Sequence, residues 1–259
     1  MRTMSYREFN YKYIWQFRFD EFSDATDVAN EHNSLPGNKA VGGFGSREWE
    51  SRQINMLNSA LNGVLPRFSS LPEFIRSNKI ENLVDFGGGP GWIWAYLVAT
   101  NMTGEINYFN CELDSSRSKF EYLGNQLPRM HWTALDQLSS INLGCNFLYS
   151  NSVLQYLNDN SELLKVIETF KPISIILDDI CGFSEENFFS LQNYYGLLQV
   201  NRFVGINQLV DEICQSGYTL KIKRPFESLF APSMVPKIWN SPNEDIEIPS
   251  SWTLVFDQI

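Results

Sequence analysis

Four residues, one acid and three glycines, have the types and the spacing of a ligand-binding turn. Asp85 is followed at alternate positions by Gly87, Gly89 and Gly91, and Trp92 comes next. Glycines at the end of a strand let the backbone approach a ligand, because no Cβ intervenes, and a helix that starts there adds N–H donors. The dinucleotide fingerprint G-x-G-x-x-G needs a glycine where this chain has Trp92. The turn therefore predicts a small-molecule site of another kind.

A second acid, Glu112, ends the next apolar run along the chain. A carboxylate at such a strand end can accept hydrogen bonds from both hydroxyls of a ribose. Glu112 lies 27 residues after Asp85, more than the roughly 20 residues of dinucleotide folds, so a longer loop is expected between them. Asp114 is the alternative acid, and an ordinary solvated strand end is the simpler explanation.

Two adjacent acids, Asp178 and Asp179, end the fifth apolar run. Open α/β sheets bind ligands at the carboxyl ends of their strands, so these acids are candidates to bind or deprotonate an acceptor hydroxyl, with His32 as a third candidate base. A capping role at a helix end is the alternative. Magnesium would need further carboxylate oxygens, but the preceding strand ends in Ser150 and Asn151. We therefore predict no metal.

The elements that would position these residues follow an alternation of short apolar runs and helical patterns, which is typical of a mostly parallel sheet. Helices fit between the five predicted strands, and Pro90 can begin the first of them. The predicted strands are Ile80–Phe86, Ile106–Glu112, Met130–Thr133, Asn146–Ser150 and Ile173–Asp178.

The last part of the chain is predicted to add two helices and two strands. The first helix runs from Ser184 through Leu198, and the second ends before Gly217. The alternating runs 218–222 and 252–256 predict an antiparallel pair of final strands. Residues 225–250 between them form a long, proline-containing insertion, which is typical of a functional lid or a disordered segment.

The first 79 residues differ from the rest and are predicted to form a helical, aromatic-rich extension, a substrate lid or a dimer contact, before a main domain at 80–259. Aromatic residues alternate from Phe9 to Phe19, which predicts a strand with one aromatic face. Ser46 can cap a helix, and Ser70 with Glu73 has the spacing of a capping box.

Composition limits the classes of partner. The net charge of −10 disfavours a nucleic-acid substrate, and the four cysteines form no C-x-x-C pair. The sequence shows no signal peptide and no apolar stretch long enough for a membrane span. We expect a cytoplasmic protein.

The pattern acid-x-G-x-G-x-G resembles the first motif of class I S-adenosylmethionine-dependent methyltransferases, and the segment Ser152–Leu157 is similar to the one that lines their methyl-transfer site. The resemblance implies a Rossmann-like fold with a seven-stranded, mostly parallel sheet, an antiparallel last strand and helices on both faces. It also implies that Gln155 and Tyr156 contact the acceptor. The cofactor-binding residues that it implies are Asp85, Phe86, Gly87, Gly88, Gly89, Gly91, Glu112, Leu113, Asp136, Ser150 and Asn151.

The stretch from Leu83 to Arg224 further resembles a group of bacterial methyltransferases associated with surface-polysaccharide gene clusters. This resemblance implies O-methylation of a small-molecule acceptor such as a sugar or a nucleotide-linked sugar, with S-adenosylhomocysteine as the second product. Two alternatives remain, a catalytically silent partner that binds S-adenosylmethionine and an aminopropyl transferase on the same fold. A homodimer is a further expectation.

Overall fold

The computed structural model describes residues 15–35, 47–112, 114–124, 126–140, 146–183, 185–194, 197–226 and 250–259. The strands are β1 Trp15–Phe19, β2 Asn82–Phe86, β3 Asn107–Cys111, β4 Met130–Thr133, β5 Asn146–Asn151, β6 Ser174–Phe183, β7 Phe188–Tyr194, β8 Leu197–Gly205, β9 Tyr218–Pro225 and β10 Ser250–Gln258. The α-helices are α1 Phe22–Asn33, α2 Arg47–Leu61, α3 Leu71–Ser77, α4 Trp92–Ala99, α5 Asp114–Gly124, α6 Ser161–Phe170 and α7 Ile206–Gln215. Short 3-10 helices follow β4 at Leu135–Ser140 and β5 at Leu154–Tyr156.

Seven strands form a sheet in the order β4-β3-β2-β5-β6-β10-β9. The strands from β4 to β6 run parallel, and β10 lies antiparallel between β6 and β9. β2 and β5 are buried along their whole length, because a parallel sheet of this kind is covered on both faces. The predicted α/β fold, with its mostly parallel sheet and antiparallel last strand, is confirmed.

Two hydrophobic clusters cover the opposite faces of this sheet. On one face, α6 and α7 pack against side chains that include Val84 and Leu148. On the other face, α2 and α4 pack against Leu83 and Phe147. Neighbouring residues of one strand belong to different clusters because side chains alternate between the two faces. The carboxyl ends of β2, β3 and β5 are therefore left at one edge, between two layers of helices.

Beyond β6 the sheet continues into three strands, of which only β1 was predicted. β6 is longer than expected, and its last residues pair in parallel with the end of β8. β7 pairs antiparallel with β8 and with β1. We call β1, β7 and β8 the extension sheet. With it, the described residues form one sheet of ten strands, where the sequence predicted seven.

The predicted helix Ser184–Leu198 is wrong, because its described residues form β7 and the start of β8. Phe188 stacks on Phe203 with 4.7 Å between ring centroids, whereas Phe189 packs against Phe22 of α1 with 5.5 Å between centroids. A strand buried on both faces lacks the alternation of polar and apolar residues that identifies a strand in a sequence. The first residue of the predicted helix lies outside the described residues.

The predictions near the two ends of the chain differ in outcome. Helix α2 forms where a helix was expected, although Ser46 itself lies outside the described residues, as do 9–14 of the aromatic strand. The capping box is wrong, because Ser70 makes no side-chain capping bond. The final antiparallel pair is confirmed as β9 and β10, and residues 227–249 of the insertion fall outside the described part. No helix in the described ranges is long and apolar enough to cross a bilayer.

Candidate functional site

The glycine-rich turn joins β2 to α4, and its backbone conformation requires glycine at two positions. Gly87 has φ +77° and Gly91 has φ +81°, a left-handed region that side chains with a Cβ rarely adopt. A Cβ on Gly87 would also lie 2.4 Å from Val153 Cγ2, and one on Gly91 would lie 2.5 Å from Met130 Cε. The sequence motif thus reflects internal packing as well as any contact with a ligand.

The backbone at Gly89 is clamped by two side chains from the neighbouring strand. Asn110 Nδ2 donates to the Gly89 carbonyl at 2.8 Å, and the Gly89 N–H donates to Glu112 Oε2 at 2.8 Å. Within the described residues, the nearest atom to a Cβ on Gly89 is Oε1 of Gln53 in α2, at 3.4 Å. Gly89 is therefore the point of the turn where a ligand can approach a fixed backbone most closely.

Asp85 lies beneath this turn and is almost completely buried, with 2% of its surface exposed. Tyr108 Oη donates to Asp85 Oδ2 at 2.5 Å, and the Tyr108 ring stacks on Trp94. Burial raises the pKa of Asp85 to about 7, although the Tyr108 hydrogen bond opposes this and the nearby Glu112 charge adds to it. A Cβ on Gly88 would lie 2.5 Å from Asp85 Oδ2. Asp85 thus supports the turn from below, and position 88 has room only for glycine.

The loop that follows β5 runs directly over the glycine turn. Ser150 Oγ donates to the Phe86 carbonyl at 2.9 Å, and the Val153 side chain fills the space beside Gly87. Gln155, further along this loop, is 6% exposed, and its Oε1 has no hydrogen-bond partner among the described residues. The predicted acceptor-contacting segment therefore lies beside the predicted cofactor-binding turn.

Asn151 and Tyr149 connect the end of β5 to the segment before α3. Asn151 Nδ2 donates to Tyr149 Oη at 2.9 Å and to the Phe68 carbonyl at 3.2 Å, and Tyr149 Oη shares a 2.7 Å hydrogen bond with Ser69 Oγ. Burial raises the pKa of Tyr149 well above its ordinary value, and the charge of Asp178 contributes. The phenol is therefore protonated at neutral pH and is no candidate base.

Asp178 is fully engaged by hydrogen-bond donors and is 1% exposed. Its carboxylate accepts from the Ser70 N–H at 2.7 Å, from Ser70 Oγ at 2.8 Å and from Thr253 Oγ1 at 2.9 Å. Burial raises the pKa of Asp178, while these donors oppose the rise. Both oxygens therefore accept hydrogen bonds from the chain itself, and the predicted catalytic role of Asp178 stays a prediction. The same contact explains why the Ser70 hydroxyl caps no helix.

Asp179 occupies a bulge in β6, where two residues face Thr253 of β10. Its φ of +53° lies in the left-handed region, which an aspartate adopts more readily than most residues. Ser251 Oγ donates to Asp179 Oδ1 at 2.7 Å, and Arg67 Nη2 lies 3.9 Å from Asp179 Oδ2. The second predicted acid is thus also held by neighbours, although it is less buried than Asp178.

The other predicted site residues lie in several places. His32 is buried in α1, which packs on β7 and β8 of the extension sheet. Tyr156 Oη donates to Gln192 Oε1 of β7 at 3.4 Å. Asp136 belongs to the 3-10 helix after β4, but its side chain lies outside the described part, as does the whole of Leu113. The structure therefore places Glu112, Ser150 and Asn151 near the turn. His32 instead lies in the helix that packs on the extension sheet.

Sequence reasoning missed Arg202, a buried cation behind the loop after β5. Arg202 is 3% exposed, and its Nη2 donates to the Leu154 carbonyl at 3.2 Å and to Asn160 Oδ1 at 2.7 Å. Burial lowers the pKa of Arg202 to about 10, a shift that the charges of Asp159 and Glu212 oppose. The guanidinium fixes the backbone next to Gln155. An arginine directly before the apolar pair Phe203 and Val204 was the available signal.

In the part of the chain that the structure describes, no group of three His, Cys, Asp or Glu side chains is placed to hold a metal ion.

The sequence matches no protein-family model and no curated protein. Several solved structures are similar to the chain at low identity. The glycopeptide N-methyltransferase MtfA complexed with S-adenosyl-L-homocysteine is 11% identical, covers 74% of this chain and 91% of its own, and has a TM-score of 0.50. An S-adenosylmethionine dependent methyltransferase from Mesorhizobium loti is 14% identical, with 72% and 96% covered and a TM-score of 0.43. The mitomycin 7-O-methyltransferase MmcR is 13% identical, with 91% of this chain and 60% of that chain covered and a TM-score of 0.48.

At such identities the likeness to MtfA concerns the fold alone. It supports the Rossmann-like methyltransferase fold that the glycine motif and the strand order indicate.

Proposed function

We propose that the chain binds S-adenosylmethionine at the glycine turn and transfers its methyl group to a small molecule. One observation carries the proposal. The Gly89 peptide is clamped by Asn110 and Glu112, lies just before α4, and is covered only by α2 in the described residues. A fixed, open backbone at the carboxyl edge of a parallel sheet is where folds of this class bind a nucleoside-containing ligand.

The residues at this edge fit such a cofactor. We assign Glu112 to the ribose hydroxyls, because its carboxylate already lies against Gly89, and Asp85 to the charge that faces the ammonium group. When bound, S-adenosylmethionine supplies a methyl group activated by the sulfonium. The proposed contacts also include Phe86, Gly87, Gly88, Gly91, Leu113, Asp136, Ser150 and Asn151.

The acceptor is proposed to lie against the loop after β5. Gln155 and Tyr156 belong to that loop, which Val153 and Ser150 hold over the turn. In this proposal the enzyme mainly aligns the acceptor, since orientation alone accounts for effective molarities of about 10⁵ M or more.

The first 79 residues are proposed to form a lid or a dimer contact. The placement of Gln53 of α2 beside Gly89 supports a cover over the cofactor. Phe226, which belongs to the described part of the insertion, packs against Phe68 with 5.2 Å between ring centroids. We propose that the insertion contacts the acceptor. A sugar of a surface polysaccharide is the acceptor class that the sequence resemblance favours.

Calorimetry with S-adenosylhomocysteine tests the cofactor site. We expect binding by the wild-type chain and loss of binding in Glu112→Ala, whereas the exposed Glu168→Ala should bind like wild type. Equal affinity of Glu112→Ala and wild type would contradict the assignment. A cell extract supplied with S-adenosylmethionine labelled in its methyl group then separates an enzyme from a silent partner, because only an enzyme transfers the label.

A further inference from the structure

Asn151 presents a buried acceptor atom that nothing in the described chain satisfies. The residue is 8% exposed, and its Oδ1 is buried without a hydrogen-bond partner among the described residues. The orientation of the amide is determined, because Nδ2 faces the carbonyl of Phe68, which can only accept. Buried polar atoms in folded proteins are almost always paired. The unpaired oxygen therefore points to a ligand that donates a hydrogen bond.

The position of Asn151 brings this oxygen to the candidate site. Asn151 is the last residue of β5 and pairs with Asp178 of β6. The residue before it, Ser150, is bonded to the strand that ends in the glycine turn. A second buried amide oxygen, Gln155 Oε1, lies four residues further along the same loop and is also unpaired within the described residues. The loop thus offers hydrogen-bond acceptors beside the proposed methyl donor.

The two acids that the sequence predicted as bases in this region are both held by neighbours. The carboxylate of Asp178 is occupied by Ser70 and Thr253, and Asp179 is held by Ser251 and Arg67. A hydroxyl acceptor must lose its proton near the transition state. An amide oxygen cannot take that proton, because it is far too weakly basic. An acceptor that reacts through its own lone pair while it donates a hydrogen bond therefore suits this oxygen better than a hydroxyl does.

We propose that the acceptor is an amine that donates an N–H to Asn151 Oδ1. This rests on the proposed function and names the substrate class of the same site. A neutral amine keeps its lone pair when it donates an N–H, so no base is needed before the reaction. Its nitrogen attacks the methyl carbon, the carbon–sulfur bond breaks with its electron pair going to sulfur, and the methylated ammonium releases one proton to water.

Labelled product identifies the reacting atom. The purified chain is incubated with ¹³C-methyl S-adenosylmethionine and the matched pair glucosamine and glucose, and with a small-molecule extract of cells. Carbon NMR separates N-methyl from O-methyl products. We expect N-methyl product, from glucosamine or from the extract. O-methyl product would overturn the amine inference while upholding methyl transfer. Absence of transfer, together with absence of S-adenosylhomocysteine binding, would overturn the proposed function itself.

Two variants then test the oxygen of Asn151. Asn151→Asp and Asn151→Leu both lose the bond to Phe68, but only aspartate keeps an acceptor atom. We expect Asn151→Leu to lower N-methylation roughly a hundredfold through misplacement of the amine, and Asn151→Asp to keep clearly more activity. Because Asn151 is also a proposed cofactor contact, S-adenosylhomocysteine affinity is measured for both variants and methyl transfer is compared at saturating S-adenosylmethionine. The exposed Asn158→Ala in the same loop is the control. Equal activity of the two Asn151 variants would contradict the role of the oxygen.

Discussion

The turn after β2 and the bulge in β6 each place a buried aspartate at the carboxyl edge of the same sheet. Asp85 accepts one side-chain hydrogen bond within the described residues, from Tyr108, and lies beneath glycines that a ligand can approach. Asp178 accepts from Ser70 twice and from Thr253. Residue type and strand position are alike in the two regions. The two aspartates differ in their hydrogen-bond donors within the described residues, which are one phenol for Asp85 and a backbone N–H with two hydroxyls for Asp178.

The largest difference is expected when the bulge loses its carboxylate. Asp178→Leu leaves the Ser70 N–H and two hydroxyls without their acceptor in a buried site, and each unsatisfied donor costs about 1–3 kcal/mol. We expect the free energy of unfolding to fall by about 5 kcal/mol, measured by urea denaturation. Asp178→Asn is the matched control, because its amide oxygen still accepts from Ser70. It should stay close to wild type in stability and in methyl transfer. Loss of transfer in a folded Asp178→Asn would support the predicted catalytic role of Asp178.

The free energy of unfolding should depend on pH through Asp85, and the variant Asp85→Asn should lose this dependence. Asp85 ionises near pH 4 in the unfolded chain and near pH 7 in the folded one. Between these values the folded state binds one proton more, so the free energy of unfolding falls as the pH rises, by up to about 4 kcal/mol. Asp85→Asn cannot titrate and should lose this part of the slope. Urea denaturation at a series of pH values measures this slope. If the unfolding free energies of variant and wild type change in parallel with pH, the raised pKa of Asp85 is excluded.

A smaller effect is expected from the shape of the turn itself. Gly87→Ala combines the cost of a positive φ, about 1–2 kcal/mol, with a Cβ that would press on Val153, which adds about 1–3 kcal/mol. We expect a loss of about 3 kcal/mol in unfolding free energy and weaker binding of S-adenosylhomocysteine. Gly104→Ala is the control, since Gly104 has φ +48° and no atom within 4 Å of a Cβ there. Equal losses in the two variants would mean that Val153 yields without cost.

The two regions also differ in how far the sequence predicts them. The turn is local, because its glycines, its strand and its helix are contiguous, and the parallel strands around it have recognisable apolar runs. The partners of Asp178 lie 108 and 75 residues away in the chain, and no local pattern indicates them. The sequence therefore predicted Asp178 as a base, whereas in the structure its carboxylate accepts hydrogen bonds from these distant partners.

The extension sheet was missed for a related reason. β7 has apolar residues on both faces, since Phe189 and Leu191 pack with α1 while Phe188 packs beside Phe203 of the neighbouring strand. It therefore lacked the alternation of a strand, and the capping signal at Ser184 was followed instead. Arg202 of β8 was missed as well, because only the fold shows that this arginine lies against the loop after β5. Local spacing therefore indicates the proposed cofactor side of the site, whereas long-range packing determines the structure of the proposed acceptor side.

The smallest expected effects compare single donors in the two regions. Thr253→Val removes one of the donors to Asp178 and keeps the side-chain shape, so we expect a loss of about 1 kcal/mol in unfolding free energy. Tyr108→Phe removes the one side-chain donor to Asp85 in the described structure and should cost about 2 kcal/mol, because the bond is short and its acceptor can carry a charge. The loss in Tyr108→Phe should grow as the pH rises and Asp85 ionises. At neutral pH the loss of unfolding free energy should be smaller in Thr253→Val than in Tyr108→Phe, because Ser70 still donates hydrogen bonds to Asp178. A larger loss in Thr253→Val, measured by urea denaturation, would contradict the distinction between the two aspartates.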